Sequence, residues 1–203
     1  MRKIKNRHLG IVGTQAVTLI ELLIAMSIFS FIALSAVSIG IFSYHHTVDT
    51  DRRTELQNEA SFVLEHMTKH MVGAIGSMVD SDPAVVPYVE GGVLTGFRVR
   101  IDDLVHGDQG MVDNQDEWIA YRVPPSTFEL VFYPEAKDGN LPVEAHKEVL
   151  TNRVPEGGFI FEVIDNFVNV TLTVRWNPAE DVLPNNPEVK MTTGVSMPSV
   201  SAS

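Results

Sequence analysis

The chain has 203 residues, with 26 Asp and Glu against 15 Lys and Arg, and a formal net charge of −11. This length suits one domain with an appendage rather than two full domains. The acidic balance argues against nucleic-acid binding, because phosphates need Lys and Arg to offset their charge. Cysteine is absent, which excludes disulfides and thiolate metal sites.

The basic and apolar residues are concentrated at the amino terminus. Residues 1–16 contain four Lys and Arg and no acid, so the rest of the chain has 11 Lys and Arg against 26 acids, a net charge of −15. Val17 to Phe42 then forms a run of 26 residues with a single charge, Glu21. At about 1.5 Å per residue this helix spans about 39 Å, more than the ~30 Å core of a bilayer. The positive-inside rule places the N-terminus in the cytoplasm and the chain from about residue 43 outside.

Three interpretations of the apolar run remain open at this point. A secretory signal has a shorter apolar core of about 7–15 residues before a small-x-small cleavage site, and Ala33-Leu34-Ser35 offers such a site within the run. A plain membrane anchor fits the length but does not explain Glu21, since a carboxylate within a spanning helix costs about 2.5–3.5 kcal/mol. In the third interpretation the run is a membrane helix in which Glu21 has a function. The alternative for Glu21 is that its side chain reaches the headgroups or is protonated.

The segment from Gln15 to Phe29, QAVTLIELLIAMSIF, closely resembles the signature of type IV prepilins. In that family a basic leader ends in a small residue, usually Gly. The mature chain then begins with a hydrophobic residue and continues Thr-Leu-Ile-Glu-Leu-Leu or a close variant. This resemblance places cleavage between Ala16 and Val17 and makes Glu21 the fifth mature residue. Ala16 replaces the usual Gly, and Val17 replaces the common Phe.

The resemblance also implies a mechanism of maturation and assembly. A membrane prepilin peptidase cuts after Ala16, and the freed amino group of Val17 is N-methylated. The carboxylate of Glu21 on an incoming subunit then meets the Val17 amine of its neighbour in a filament. Opposite charges attract strongly in a low dielectric, where a lone charge is costly. We therefore expect Glu21 to set the register of assembly.

The helical pattern continues beyond the apolar run, because apolar residues recur at steps of three or four along one face. These residues are Leu56, Ala60, Val63, Met67, Met71 and Ala74. Gly73, Gly76 and Asp82-Pro83 predict the end of the helix. From about residue 90 the period changes to two, which predicts strands. The predicted strands are Val93–Ile101, Trp118–Val123, Phe128–Tyr133, Phe159–Ile164, Val168–Trp176 and Lys190–Ser196.

This order of elements predicts an α+β fold in which a long N-terminal helix packs on an antiparallel sheet, the pilin-like architecture. We expect a leader at 1–16, a transmembrane and assembly helix at 17–42, its amphipathic continuation at 43–78 and a β-rich external head at 79–203. Within the head, the pattern at 135–155 is ambiguous. The Ser- and Pro-containing tail from residue 196 onward is expected to be mobile.

Two groups of polar residues suggest metal ligands. His66 and His70 lie four residues apart on the predicted helix, a spacing compatible with metal binding. The sequence between them lacks the acid of a metalloprotease motif, so we favour an exposed helix face without metal. Asp108, Asp113 and Asp116 are candidate calcium ligands, because hard cations prefer oxygen, although their spacing does not match an EF-hand. We expect no cofactor, with calcium as the alternative.

No phosphate-cradling glycine motif, nucleophile elbow or cysteine nucleophile is present, so we expect no enzymatic activity. The run that follows Glu21 looks like the J-type pseudopilins of type II secretion and the W-type minor pilins. This likeness implies a minor subunit of a type II secretion pseudopilus or type IV pilus, placed near the tip or active in assembly initiation.

The implied location is the bacterial inner membrane, in a single pass. The implied partners are prepilin peptidase, other major and minor pilins or pseudopilins, and the inner-membrane assembly platform. Two alternatives remain: a single-pass, membrane-anchored external β-rich binding domain that forms no filament, and an exported enzyme with an unusual signal.

Overall fold

One long helix, α1 (Leu19–Met71), contains both the apolar run and the amphipathic stripe. The computed structural model describes residues 17–77, 83–90, 92–101, 117–136, 146–164, 166–198 and 200–201. The chain forms two compact units, Met1–His46 and Thr47–Ser203. Gly73 and Gly76 follow the helix, and Gly76 has a φ of 123°, a conformation that side chains with a Cβ rarely adopt. The helix ends at Met71, two residues before the first predicted stop signal, Gly73, and earlier than the predicted boundary at residue 78.

In the first unit, α1 exposes apolar side chains on all sides. The large apolar residues from Val17 to Phe42 are each more than half exposed. The serine hydroxyls in this stretch donate to backbone carbonyls four residues earlier, at 2.7–2.9 Å, so they are satisfied without water. These bonds are Ser27 to Leu23, Ser30 to Met26, Ser35 to Phe31 and Ser38 to Leu34. The helix is long and apolar enough to cross a membrane.

Among the described residues, ten strands follow the helix and form three sheets. Strands β2 to β6 make a five-stranded antiparallel sheet in chain order, and β7, β8 and β9 make a three-stranded antiparallel sheet. Strands β1 and β10 form a short parallel pair. The strands are β1 (Gly76–Ser77), β2 (Val85–Glu90), β3 (Val93–Ile101), β4 (Glu117–Arg122), β5 (Leu130–Tyr133), β6 (Glu148–Thr151), β7 (Phe159–Ile164), β8 (Phe167–Arg175), β9 (Glu188–Ser196) and β10 (Val200–Ser201).

A single core joins the head part of α1 to both larger sheets. The whole predicted stripe is buried, from Leu56 to Met71 on α1 and at Ala74 just beyond its end. It packs in one cluster with Phe97 of β3 and with the inward residues of β8. Those residues of β8 are Val168, Val170, Leu172 and Val174, each 0% exposed. The α+β fold with a helix packed on antiparallel sheet is therefore confirmed.

The structure contains strands that the sequence pattern did not predict. Strand β2 contains Pro87, and prolines are tolerated on an edge strand because no ladder bond needs their N–H. Strand β6 has only four residues and lies in the ambiguous region. Strand β10 pairs with β1, Val200 opposite Gly76, so the expectation of a mobile tail is wrong for that part.

An aromatic and ionic cluster fastens the head part of α1 to the end of β8. The guanidinium of Arg153 pairs with Glu55 at 3.0 Å and with Glu59 at 3.2 Å. It also lies 4.4 Å from the ring centre of Trp176, and Arg52 lies 5.0 Å from the same ring. The two carboxylates and the aromatic face offset part of the cost of removing this half-buried guanidinium from water.

We predict that Met67→Ala lowers the free energy of unfolding of the head by about 2–5 kcal/mol, because Met67 is fully buried and its truncation leaves a cavity. Phe62 on the same helix is 56% exposed, so Phe62→Ala costs less than about 0.5 kcal/mol. Denaturant titration of the micelle-bound chain, followed by tryptophan fluorescence, measures both. Equal losses in the two variants would contradict the packing described here.

Candidate functional site

A reciprocal capping box closes the amino end of α1. The backbone N–H and the hydroxyl of Thr18 both donate to Oε2 of Glu21 at 2.8 Å. In return, the N–H of Glu21 donates to the Thr18 hydroxyl at 3.3 Å. The Thr18 carbonyl accepts from the Leu22 N–H at 3.1 Å, the first bond of the helix. This is the Thr-x-x-Glu arrangement that satisfies the otherwise unpaired N–H groups of a helix start.

The capping box changes the interpretation of Glu21. The sequence suggested a lone carboxylate in an apolar segment, but the structure gives it two local donors. Both hydrogen bonds from Thr18 end on Oε2 of Glu21, and no described residue donates a hydrogen bond to Oε1. Thr18 therefore holds the carboxylate in a defined position and leaves one oxygen open. Sequence reasoning missed the role of Thr18, although the Thr-x-x-Glu spacing is the signal that predicts it.

The remaining predicted residues of this region lie at or beyond the start of the described chain. Val17 is 70% exposed and precedes the helix without being part of it. Ala16 and the leader 1–16 lie outside the described residues, so the cleavage site stays a prediction. The candidate calcium ligands Asp108, Asp113 and Asp116 also lie outside them.

His66 and His70 occupy a different environment from the exposed helix face that the sequence favoured. Both are partly buried, with ring centres 4.5 Å apart. The ring of Phe132 lies 4.7 Å from His66 and 5.1 Å from His70. Nδ1 of His66 lies 3.1 Å from the Tyr121 hydroxyl, and Nδ1 of His70 lies 2.8 Å from the His66 carbonyl. The two imidazoles thus lie between α1 and the five-stranded sheet, and the expectation of an exposed face is wrong.

Burial and nearby charges shift the pKa values of His66 and Tyr121. Burial lowers the pKa of His66, and His70 and Lys69 lower it further, while Glu148 acts in the opposite direction. Burial raises the pKa of Tyr121 well above its usual range, with a further contribution from Glu148. Tyr121 therefore remains a neutral phenol at neutral pH, able to donate and accept hydrogen bonds.

The head also contains an open cleft of about 750 Å³. Its walls come from the end of β2, the start of β3, the proline-rich loop after β4 and the turn before β7. Leu94 and Phe128 contribute exposed apolar surface. Ser126 in the proline-rich loop has a φ of 64°, a conformation that costs a residue with a Cβ about 1–3 kcal/mol and often marks a functional site.

Comparison with known proteins finds a known motif at the amino end of α1, where the capping box lies. Residues 13–37 match the model of the prokaryotic N-terminal methylation motif. No curated protein and no solved structure matches the chain. The motif indicates a type IV pilin-like protein, a structural kind of protein, and implies processing by prepilin peptidase and assembly with other pilins. With the apolar helix, it indicates a membrane-anchored, single-pass protein.

We predict that Thr18→Val loosens the start of α1, because valine retains the shape of threonine but not the hydroxyl that binds Glu21. Loss of an N-cap costs about 0.5–2 kcal/mol, which corresponds to roughly 2- to 30-fold faster amide exchange in the first turn. Thr18→Ser keeps the hydroxyl and is the control. Hydrogen exchange in micelles measures the effect, and equal protection in the three proteins would contradict the capping role.

Proposed function

We propose that the chain is a minor pilin or pseudopilin that is cleaved between Ala16 and Val17 and N-methylated at Val17. It then assembles into a type II secretion pseudopilus or a type IV pilus, near the tip or during initiation. The methylation motif over residues 13–37 is the observation that carries this proposal. The likeness of the run after Glu21 to J-type and W-type subunits supports a minor rather than a major role.

The open oxygen of Glu21 supports the assembly step. After cleavage, the amine of Val17 is a positive charge one residue before the capping box. On a neighbouring subunit this amine is a partner for Oε1, because Oε2 is already occupied by Thr18. At about 4 Å and an effective dielectric constant of 20, two unit charges attract by about 4 kcal/mol. An interaction of this size favours one register of neighbouring helices over others.

The proposed order of segments follows from the same mechanism. The basic leader 1–16 stays in the cytoplasm, where the peptidase removes it, and 17–42 remains as transmembrane and assembly helix. The segment 43–78 contains the amphipathic continuation of α1, which ends at Met71, and the head at 79–203 lies outside the inner membrane. The inner-membrane assembly platform and other pilins or pseudopilins are the partners. The acidic head contacts the other minor subunits.

The cleft in the head favours one alternative, a membrane-anchored binding domain that forms no filament. Its volume of about 750 Å³ lies within the range of small-molecule sites. Its apolar walls with a few polar groups resemble such sites in composition. This alternative does not require cleavage or a free Val17 amine.

We predict that Glu21→Val leaves membrane insertion unchanged and reduces incorporation into filaments at least tenfold, because the charge that meets the neighbour's amine is lost. Glu21→Gln separates the two roles of this side chain, since its amide oxygen still accepts from Thr18 but has no charge. We expect Glu21→Gln to be incorporated into filaments nearly as poorly as Glu21→Val. Fractionation of membranes and sheared filaments measures both steps.

Ser27→Ala is the matched control for a polar change elsewhere in the apolar run, because its hydroxyl bonds only to its own helix. This variant should assemble normally. Normal incorporation of Glu21→Gln would contradict the proposed charge pairing, although the methylation motif over residues 13–37 would still be present.

A further inference from the structure

A row of side chains crosses the five-stranded sheet directly opposite His66 and His70. Tyr121 of β4 pairs with Phe132 of β5, and Phe132 pairs with Glu148 of β6. Directly opposed residues of antiparallel strands point to the same face of a sheet, with Cβ atoms about 4.5–5.5 Å apart. Glu148 therefore lies on the face that Phe132 presents to the two imidazoles.

The hydrogen bonds of His70 define which of its nitrogens is available to a ligand. Its Nδ1 lies 2.8 Å from the carbonyl oxygen of His66. A carbonyl only accepts, so Nδ1 carries the proton and Nε2 of the neutral ring has a free lone pair. A metal-binding histidine usually donates its other N–H to a carbonyl or carboxylate in this way.

Tyr121 supports the equivalent arrangement at His66. The hydroxyl of Tyr121 lies 3.4 Å from the His66 carbonyl and 3.1 Å from Nδ1 of the same residue. The same hydroxyl lies 3.3 Å from Nδ1 of His70. In the tautomer in which it donates to the His66 carbonyl and accepts from His66 Nδ1–H, Nε2 of His66 also has a lone pair. The aromatic contacts of Phe132 with both rings restrict their rotation. Two oriented imidazoles at positions i and i+4 of a helix can bind one ion together.

We propose that His66 and His70 bind a transition-metal ion, with Glu148 as a third ligand. Two imidazoles and one carboxylate are a known donor set for Zn²⁺, with a water in the fourth position. Within the part of the chain that the structure describes, no three His, Asp or Glu side chains are already gathered as a metal site. The exposed side chain of Glu148 therefore has to rotate towards the imidazoles when the ion binds.

The register of the sheet supports the third ligand. Glu148 lies directly opposite Phe132 on the edge strand β6, and the Phe132 ring contacts both imidazoles. A bound ion would then join the head part of α1 to β6, the strand farthest from β2 in this sheet. The expected consequence is a more stable head, independent of the function proposed for the amino end of the chain.

The test uses the full chain without a histidine tag, in micelles and stripped with a chelator, titrated with ZnCl₂ by calorimetry and thermal unfolding. We expect saturable binding of Zn²⁺ at this cluster and a rise in Tm that the chelator reverses. His66→Gln and His70→Gln should each weaken this binding at least tenfold, and Glu148→Gln should weaken it by about tenfold. His146→Gln is the control, because His146 pairs with Glu135 at 3.1 Å and is not in the cluster.

Long-range ¹H–¹⁵N spectra of the wild-type chain add a measurement that needs no variant, since Zn²⁺ should shift the Nε2 signals of His66 and His70. Absence of these shifts, or equal Zn²⁺ affinity in wild type and both histidine variants, would overturn the proposal. Unchanged affinity in Glu148→Gln alone would overturn the part assigned to the carboxylate.

Discussion

The interaction on which the rest of this account depends is the pair of hydrogen bonds that Thr18 donates to Glu21. A carboxylate in an apolar helix is costly, and a local cap lowers that cost without neutralising the charge. Oε2 is satisfied within the chain, whereas Oε1 is available to a cation from elsewhere. The same residue thus starts the helix and carries the charge that the proposed assembly requires. Glu21 has the one charged side chain of the run from Val17 to Phe42, and the described serine hydroxyls of that run bond to carbonyls of their own helix.

The head contributes stability through a separate set of contacts. The buried stripe of α1 joins two antiparallel sheets into one core, and Arg153 with Trp176 fastens the part of α1 near Glu55. The head has its own core, separate from the apolar run, so the proposed cleavage and assembly would leave that core unchanged. In the proposed filament, the net negative charge of the chain beyond residue 16 would favour contacts with positively charged surfaces of other subunits.

Periodicity predicted the elements whose residues repeat most regularly. The stripe from Leu56 to Ala74 and the alternation in β8 gave the helix, its buried face and the best strand, because burial on one side imposes those periods. Strand β2 was missed because Pro87 breaks the pattern but is harmless at an edge. The position of His66 and His70 was also wrong. Spacing shows that two residues share a helix face, but only the width of the packed sheet shows whether that face is covered.

The site at the amino end was predicted in part for a similar reason. The motif around Glu21 is local in sequence, so the sequence alone is enough to show its resemblance to prepilins. The bond between Glu21 and Thr18 is equally local. The Thr-x-x-Glu spacing of a helix cap predicts this bond, whereas an argument from the cost of a charge in the membrane does not. The row of Tyr121, Phe132 and Glu148 opposite the histidines joins three strands and depends on sheet register, which no single segment encodes.

The most direct measurement is the mass of the N-terminal peptide of the mature protein, extracted from membranes of cells that contain the prepilin peptidase. The account predicts a chain that begins at Val17 with a methylated amino group. An intact Met1 would mean that no free amine lies beside the capping box, and a start near Ala36 would mean export without the helix. Either result would contradict the proposed subunit.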